Sequence, residues 1–257
     1  MTPQKLIHSS KSWADFVEKI SKFQDTKRGI HFEWLVKFYL LSSPKYRLYY
    51  DEVWHSSEFQ LQTEHVSKLK LPFPEQGYDL IGLLRDGSYE IIQCKYKNNI
   101  NKNIVYEDID SSIRVAVANP TKKFVKSVKM CSNLQGITRD KNIANQAVKI
   151  NGIFGGDFEA LHDQDFKNIK KVINDEIPLY KKVKIHPHQS NAIKLIKEHF
   201  ISKNESRAQV IHACGTGKTL TAYYAYQELK PTLAIYLVPS LQLITQTLTG
   251  WAKESLA

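Results

Sequence analysis

The sequence predicts an α/β protein in two parts, a mixed-sheet domain followed by an incomplete parallel α/β lobe. Three observations predict it. A strong β-hairpin pattern over 77–97 leads into alternating helical and strand-like stretches. A run of helix, strand, glycine turn, helix, strand and helix fills 188–253, the pattern of a βαβ unit. Between the two lies the polar, extended stretch DEIPLYKKVKIH (175–186), in which Pro178 blocks a helix. These divide the chain into a first domain at 1–175, a linker at 176–186 and a second domain at 187–257.

Each element has its own warrant. Trp13, Phe16, Val17, Ile20 and Phe23 recur at helical spacing within 12–24, and Ile30, Phe32, Leu35, Val36 and Tyr39 do so within 28–41. The aromatic stretch 46–53 reads as a strand. GYDLIGLL (77–84) and SYEIIQCKYK (88–97) flank the turn Arg85-Asp86-Gly87. Residues 104–118 read as a helix, 123–131 as a strand, 138–149 as a helix, 150–154 as a short strand and 163–175 as a charged helix. In the second domain the helices fall at 188–201, 218–229 and 240–253 and the strands at 208–213 and 232–238. Two strands are too few to bury the faces of a parallel sheet, so the lobe reads as a fragment.

Composition narrows the class. Of 257 residues 42% are hydrophobic and 24% charged, the balance of a globular chain rather than a disordered one. Lys and Arg number 36 against 26 acidic residues, an excess of +10 that favours a polyanionic partner. Cys94, Cys131 and Cys214 match no zinc spacing or disulfide framework, which fits a reducing, cytoplasmic setting. No signal peptide or membrane span is expected: TLAIYLVPSLQLITQTL is broken by Pro239 and polar residues.

The hairpin carries the candidate chemistry. Gln93 and Lys95 are two apart on one strand and so share a face. Whether Asp79 joins them depends on the turn. A two-residue Asp86-Gly87 turn pairs Asp79 with Cys94 and turns it to the wrong face. A three-residue turn with Gly87 in the left-handed position of a G1 bulge pairs it with Gln93. The sequence permits both, and the three-residue turn is the expectation. The Asp79 carboxylate, the Gln93 amide oxygen and the backbone carbonyl of Cys94 are hard oxygen ligands suited to Mg²⁺. Lys95 is then placed to orient an attacking water or to stabilise charge on a phosphorane-like transition state. Glu33, on a helix whose apolar neighbours face the core, is a candidate further ligand or water anchor. Lys95, Lys97 and Lys102, with Lys122, Lys123, Lys126 and Lys129, form a phosphate track if they line one side of the sheet. Lys167, Lys170 and Lys171 lie at helical spacing and read equally as a solvated face.

The second domain opens on a phosphate loop. An apolar stretch runs into Gly215-Thr216-Gly217-Lys218-Thr219 and then a helix, whose backbone N–H groups and N-terminal dipole suit phosphate. Lys218 is expected to reach the β- and γ-phosphates of ATP and Thr219 to hold its Mg²⁺. His212 stands where the general pattern has its first glycine. Pro187-His188-Gln189, followed by Ala192-Ile193, resembles the glutamine motif that recognises adenine, which implies that the Gln189 amide bonds the base edge through both its oxygen and its nitrogen. No Asp-Glu box follows residue 219, so weak nucleotide binding without turnover is the expectation.

Gly29-Ile30-His31-Phe32-Glu33, Gly77-Tyr78-Asp79, Gln93-Cys94-Lys95 and MCSNLQGIT (130–138) together resemble the Mrr-like branch of the PD-(D/E)XK nucleases over residues 25–160. In that branch a glutamine replaces the usual acid before x-Lys. The resemblance implies a restriction-endonuclease-like fold and Mg²⁺-dependent cleavage of double-stranded DNA. It puts Asp79, Gln93 and Lys95 at the catalytic positions, with Glu33 as the helix acid. Ala213-x-Gly-x-Gly-Lys-Thr resembles motif I of superfamily 2 helicases, and 234–246 resembles motif Ia, which implies a RecA-like ATPase lobe. A nuclease joined to such a motor resembles the Type ISP restriction-modification enzymes, in which the rest of the motor, a methyltransferase and a target-recognition domain follow. Three alternatives remain open: the motor subunit of a Type I restriction enzyme, which predicts an acid at Gln93; a DNA-binding module whose hairpin no longer cuts; and a plain helicase with a structural N-terminal domain.

Overall fold

The computed structural model describes residues 1–257 except 73–76, 119, 139–140 and 145–146, and except the side chains of 141, 144, 241 and 242. The chain divides into two units, Met1–Pro178 and Leu179–Ala257.

The first unit runs α1 (Pro3–Ser9), α2 (Trp13–Ile20), α3 (Asp25–Ser42), α4 (Pro44–Arg47), β1 (Tyr50–His55), α5 (Ser56–Phe59), α6 (Thr63–Leu69), β2 (Leu80–Leu84), β3 (Tyr89–Lys95), α7 (Tyr106–Val117), β4 (Val125–Ser132), α8 (Lys141–Ala144), β5 (Lys149–Ile153), α9 (Gly155–Glu159) and α10 (Asp163–Ile173). The strands form one sheet in the order β1-β2-β3-β4-β5. The first three are antiparallel and the last three parallel, so the sheet is mixed, as the order of elements predicts.

Alternation along β3 sends Tyr89 and Ile91 to one face and Ile92 and Cys94 to the other. On the second face α3 packs against the sheet and against α1 and α10; α7 covers the first face over β3 and β4. Phe32 of α3 is fully buried between Trp13, Tyr96 and Phe158, at ring distances of 6.1, 5.7 and 5.1 Å. Truncating such a ring to alanine costs about 3–5 kcal/mol. Because α3 is buried on most sides, it is a fixed support from which Glu33 projects.

Several expectations are corrected. The strand expected at 46–53 begins only at Tyr50, because Pro44 at a first helical position starts α4. The helix expected over 138–149 is the four-residue α8 where it is described, and residues 139–140 and 145–146 lie outside the described residues. Lys129 does not join a phosphate track: its ammonium is buried 3.2 Å from the Glu90 carboxylate, which also accepts from Tyr50, Ser127 and Asn151.

The second unit contains α11 (Pro187–Lys197), a π-helical turn (Glu198–Ser202), α12 (Lys218–Leu229) and α13 (Leu241–Ser255). Ser240 caps α13 by accepting from Leu243 N–H at 3.3 Å. The strands expected at 208–213 and 232–238 are absent: these stretches are without helix or strand, and Ile211, Leu233, Ile235 and Leu237 are largely exposed. A strand exists only through its ladder, and among the described residues neither stretch has one. No helix of the described residues is long and apolar enough to cross a membrane.

Candidate active site

The loop of the hairpin decides which side chains meet. Leu80 pairs with Ile92 and Leu83 with Tyr89, a register that extends to Asp79 opposite Gln93. Leu84 N–H donates to Ser88 carbonyl at 2.8 Å and Gly87 N–H to Leu84 carbonyl at 2.9 Å, with Gly87 at φ +78°. This is the three-residue turn with a left-handed glycine that the residues permit. The alternative register, Asp79 against Cys94, does not occur.

Asp79 lies just ahead of β2. Its Oδ2 accepts from the Gln93 amide nitrogen at 2.5 Å and from Cys94 N–H at 2.6 Å. Burial, then the nearby Glu33 carboxylate, pushes Asp79 up to about 7, while Cys94 N–H, Lys95 and His55 pull the other way. Gly77, at φ +80°, lies close against α7, where a Cβ would come within 2.6 Å of the Ser111 backbone.

Gln93 is buried and works differently from the expectation. Its oxygen accepts from Ser112 of α7 at 3.0 Å, and its nitrogen faces Asp79. The amide therefore bridges α7 and Asp79 rather than presenting oxygen to the space beside the carboxylate. Cys94 is buried with Cys131 beside it on β4, and burial pushes its thiol well up.

Glu33 does approach the sheet end. Its Oε2 lies 3.0 Å from Nε2 of His55, the last residue of β1. Sequence reasoning missed His55. The signal available was local: His55-Ser56-Ser57-Glu58 has the spacing of a capping box, which the short α5 bears out.

Lys95 makes no ion pair among the described residues. The end of β3 that carries it is clamped by β4: Ser132 Oγ donates to Lys95 carbonyl at 2.7 Å, and the Asn133 amide both accepts from Lys97 N–H (2.8 Å) and donates to Lys97 carbonyl (2.7 Å). This gives a physical role to the Ser-Asn of MCSNLQGIT. Among the other candidate basic residues, Lys97 pairs with Asp108 at 3.0 Å and Lys126 with Asp86 at 2.7 Å.

In the second unit Gly215 and Gly217 take φ of +77° and +81°, and α12 starts at Lys218. The Lys218 ammonium folds onto the loop, 3.1 Å from Ala213 carbonyl and 3.4 Å from His212 carbonyl. Gln189 is buried and holds the same loop. Its oxygen accepts from His186 N–H at 2.9 Å, and its nitrogen donates to Thr216 and Gly217 carbonyls at 3.1 and 3.2 Å. A Cβ on Gly217 would meet that nitrogen at 2.3 Å. Thr219 carbonyl accepts from the Trp251 indole at 3.0 Å.

A mixed sheet with an Asp, an amide and a lysine gathered at one hairpin defines a nuclease-like class. Residues 41–175, more than half of the chain, match the family model described as restriction endonuclease, and the chain belongs to that family. Residues 182–256 match a second model, described as Type III restriction enzyme, res subunit. Among solved structures the chain is similar to the "ATP-dependent Type ISP restriction-modification enzyme LlaBIII bound to DNA", with 25% identity and a TM-score of 0.68. The match covers 95% of this chain and 15% of that one, so the chain spans about a seventh of the length of the structure it resembles. No curated protein matches the chain.

Proposed function

We propose that the chain is the Mg²⁺-dependent endonuclease module of a cytoplasmic, ATP-dependent translocating restriction enzyme that cuts double-stranded DNA. In this reading 1–175 is the nuclease, 176–186 the linker and 187–257 the opening of the ATPase lobe. Further motor, methyltransferase and target-recognition domains belong to the same parent chain. The observation that carries the reading is the Asp79 carboxylate, gripped by Gln93 and Cys94 and raised by burial and by the nearby Glu33, with Lys95, which makes no ion pair among the described residues, on the same strand as Gln93.

The residues suit the ion. Asp79, pushed up by burial and then by the nearby Glu33 carboxylate, would be relieved by a divalent cation. Asp79, Glu33 and the Cys94 carbonyl are hard oxygen donors of the kind Mg²⁺ takes. Gln93 joins as a ligand only if its amide turns over; as it stands, it fixes Asp79. When bound, the ion supplies Lewis-acid polarisation of the phosphate and a more acidic water. Lys95, held in place through Ser132, stabilises charge on the attacked phosphate or orients the water. In the motor, Lys218, which contacts the Ala213 and His212 carbonyls, would bind the phosphates of ATP with the backbone N–H groups of Gly215, Thr216 and Gly217, and Thr219 would hold its Mg²⁺.

The test is incubation of the purified chain with supercoiled plasmid and Mg²⁺ or EDTA, beside Asp79→Ala and Lys95→Ala. The expected result is nicking with Mg²⁺ only, lowered at least about 100-fold in both variants. Equal nicking by wild type and Asp79→Ala overturns the assignment.

A further inference from the structure

His55 closes β1 next to the two carboxylates. Its imidazole lies flat on Trp34, ring centroids 4.7 Å apart and planes 12° from parallel. Nδ1 accepts from Ser57 N–H at 3.3 Å and lies 2.7 Å from Ser57 Oγ. A backbone N–H only donates, so Nδ1 holds a lone pair and the ring proton sits on Nε2. Nε2–H therefore donates to Glu33 Oε2 across the 3.0 Å between them. Both ring nitrogens are used within the protein, and neither offers a lone pair to a metal.

The backbone around His55 is anchored as firmly as its ring. His55 N–H donates to Glu58 Oε2 at 2.8 Å, and Glu58 in turn grips the Lys37 ammonium at 2.5 Å. Ser56 N–H donates to the Asp79 carbonyl at 2.8 Å. The junction of β1 and α5 thus touches both acids, Glu33 through a side chain and Asp79 through the backbone. Glu33 alone would be a long side chain on a helix, with solvent as the alternative.

We propose that His55 is a positioning residue for the cleavage reaction: its Nε2–H holds the Glu33 carboxylate in the orientation that faces Asp79. This rests on the nuclease reading. Partners of this kind, one step removed from a metal, typically account for about 10–100-fold in metal affinity or activity.

The experiment compares wild type, His55→Phe and His55→Gln in plasmid nicking and in Mg²⁺ calorimetry without DNA. Phenylalanine keeps the ring on Trp34 and removes the N–H; glutamine restores an N–H near the Nε2 position. His55→Phe is expected to lower nicking and Mg²⁺ affinity each about 10–100-fold with KM for DNA unchanged, and His55→Gln to recover most of both. Wild-type behaviour of His55→Phe in both assays overturns the proposal and leaves the nuclease reading standing. Equal impairment of His55→Gln overturns it too, because a merely structural role follows. If circular dichroism shows His55→Phe unfolded, His55→Asn, polar but too short for Glu33, replaces it with the same outcomes. A wild type that neither nicks nor binds Mg²⁺ sinks the nuclease reading, and this one with it.

Discussion

At Asp79 the requirements of folding and of the proposed cleavage conflict. A carboxyl raised to about 7 by burial and by Glu33 is held protonated by the folded chain at pH values where the unfolded chain, near 3.8, has released it. The stability this brings is fully present below about pH 4 and is lost as pH rises to about 7, so at pH 8 ionised Asp79 opposes folding. Asparagine keeps an oxygen for Gln93 and Cys94 and carries no charge. Asp79→Asn is therefore expected to melt above wild type at pH 8 in EDTA, by the equivalent of roughly 1–3 kcal/mol given its partial exposure, with the gap closing toward pH 4. Mg²⁺ should raise the melting temperature of wild type at pH 8 and leave the variant unchanged. A variant less stable than wild type at pH 8 would show that no charge is being suppressed there.

At the scale of elements, two left-handed glycines set the hairpin, and they differ in what surrounds them. Nothing lies within 4 Å of a Cβ on Gly87, whereas one on Gly77 runs into the Ser111 backbone. Gly87→Ala is expected to cost about 1–2 kcal/mol in urea unfolding, the penalty of a left-handed alanine. Gly77→Ala should cost more and also impair nicking, since α7 must move away from Gln93; equal costs would contradict this account of the loop. Periodicity made the hairpin, α3, α7 and α12 legible because each has a long apolar pattern of one period, and turn chemistry restricted the register to two choices. It did not reveal α5 and α6, short helices in a stretch without such a pattern. The strands at 208–213 and 232–238 failed for another reason: apolar content marks a segment willing to be a strand, and only a partner makes it one. In the candidate site, the grouping of Asp79 with Gln93, Lys95 and Glu33 was legible through spacing and family resemblance. His55 and the orientation of the Gln93 amide were not, because both depend on contacts between residues about 20 apart in the chain.

For the whole molecule, the excess of positive charge is unevenly shared. The first unit, Met1–Pro178, has 26 Lys and Arg against 22 Asp and Glu, while Leu179–Ala257 has 10 against 4. The smaller unit thus carries the larger net charge, +6 against +4. Several lysines of the first unit are also neutralised locally, Lys97 by Asp108, Lys126 by Asp86, Lys129 by Glu90 and Lys167 by Asp163. By contrast, Lys181, Lys182 and Lys184 are exposed and make no ion pair among the described residues. Non-specific affinity for a duplex follows the number of phosphates neutralised, so it should reside mainly with these lysines rather than with the nuclease surface. Replacing all three by glutamate is expected to weaken binding to a random duplex and to flatten the plot of log K against log salt by roughly 2–3. The same change at Lys167, Lys170 and Lys171 alters net charge equally and should do less, which controls for the overall field of the protein. An α10 variant as damaging as the 181–184 variant would mean that total charge governs the encounter. A larger effect from the 181–184 set would mean that the segment leading into α11 holds the DNA while the weakly charged nuclease supplies the cut.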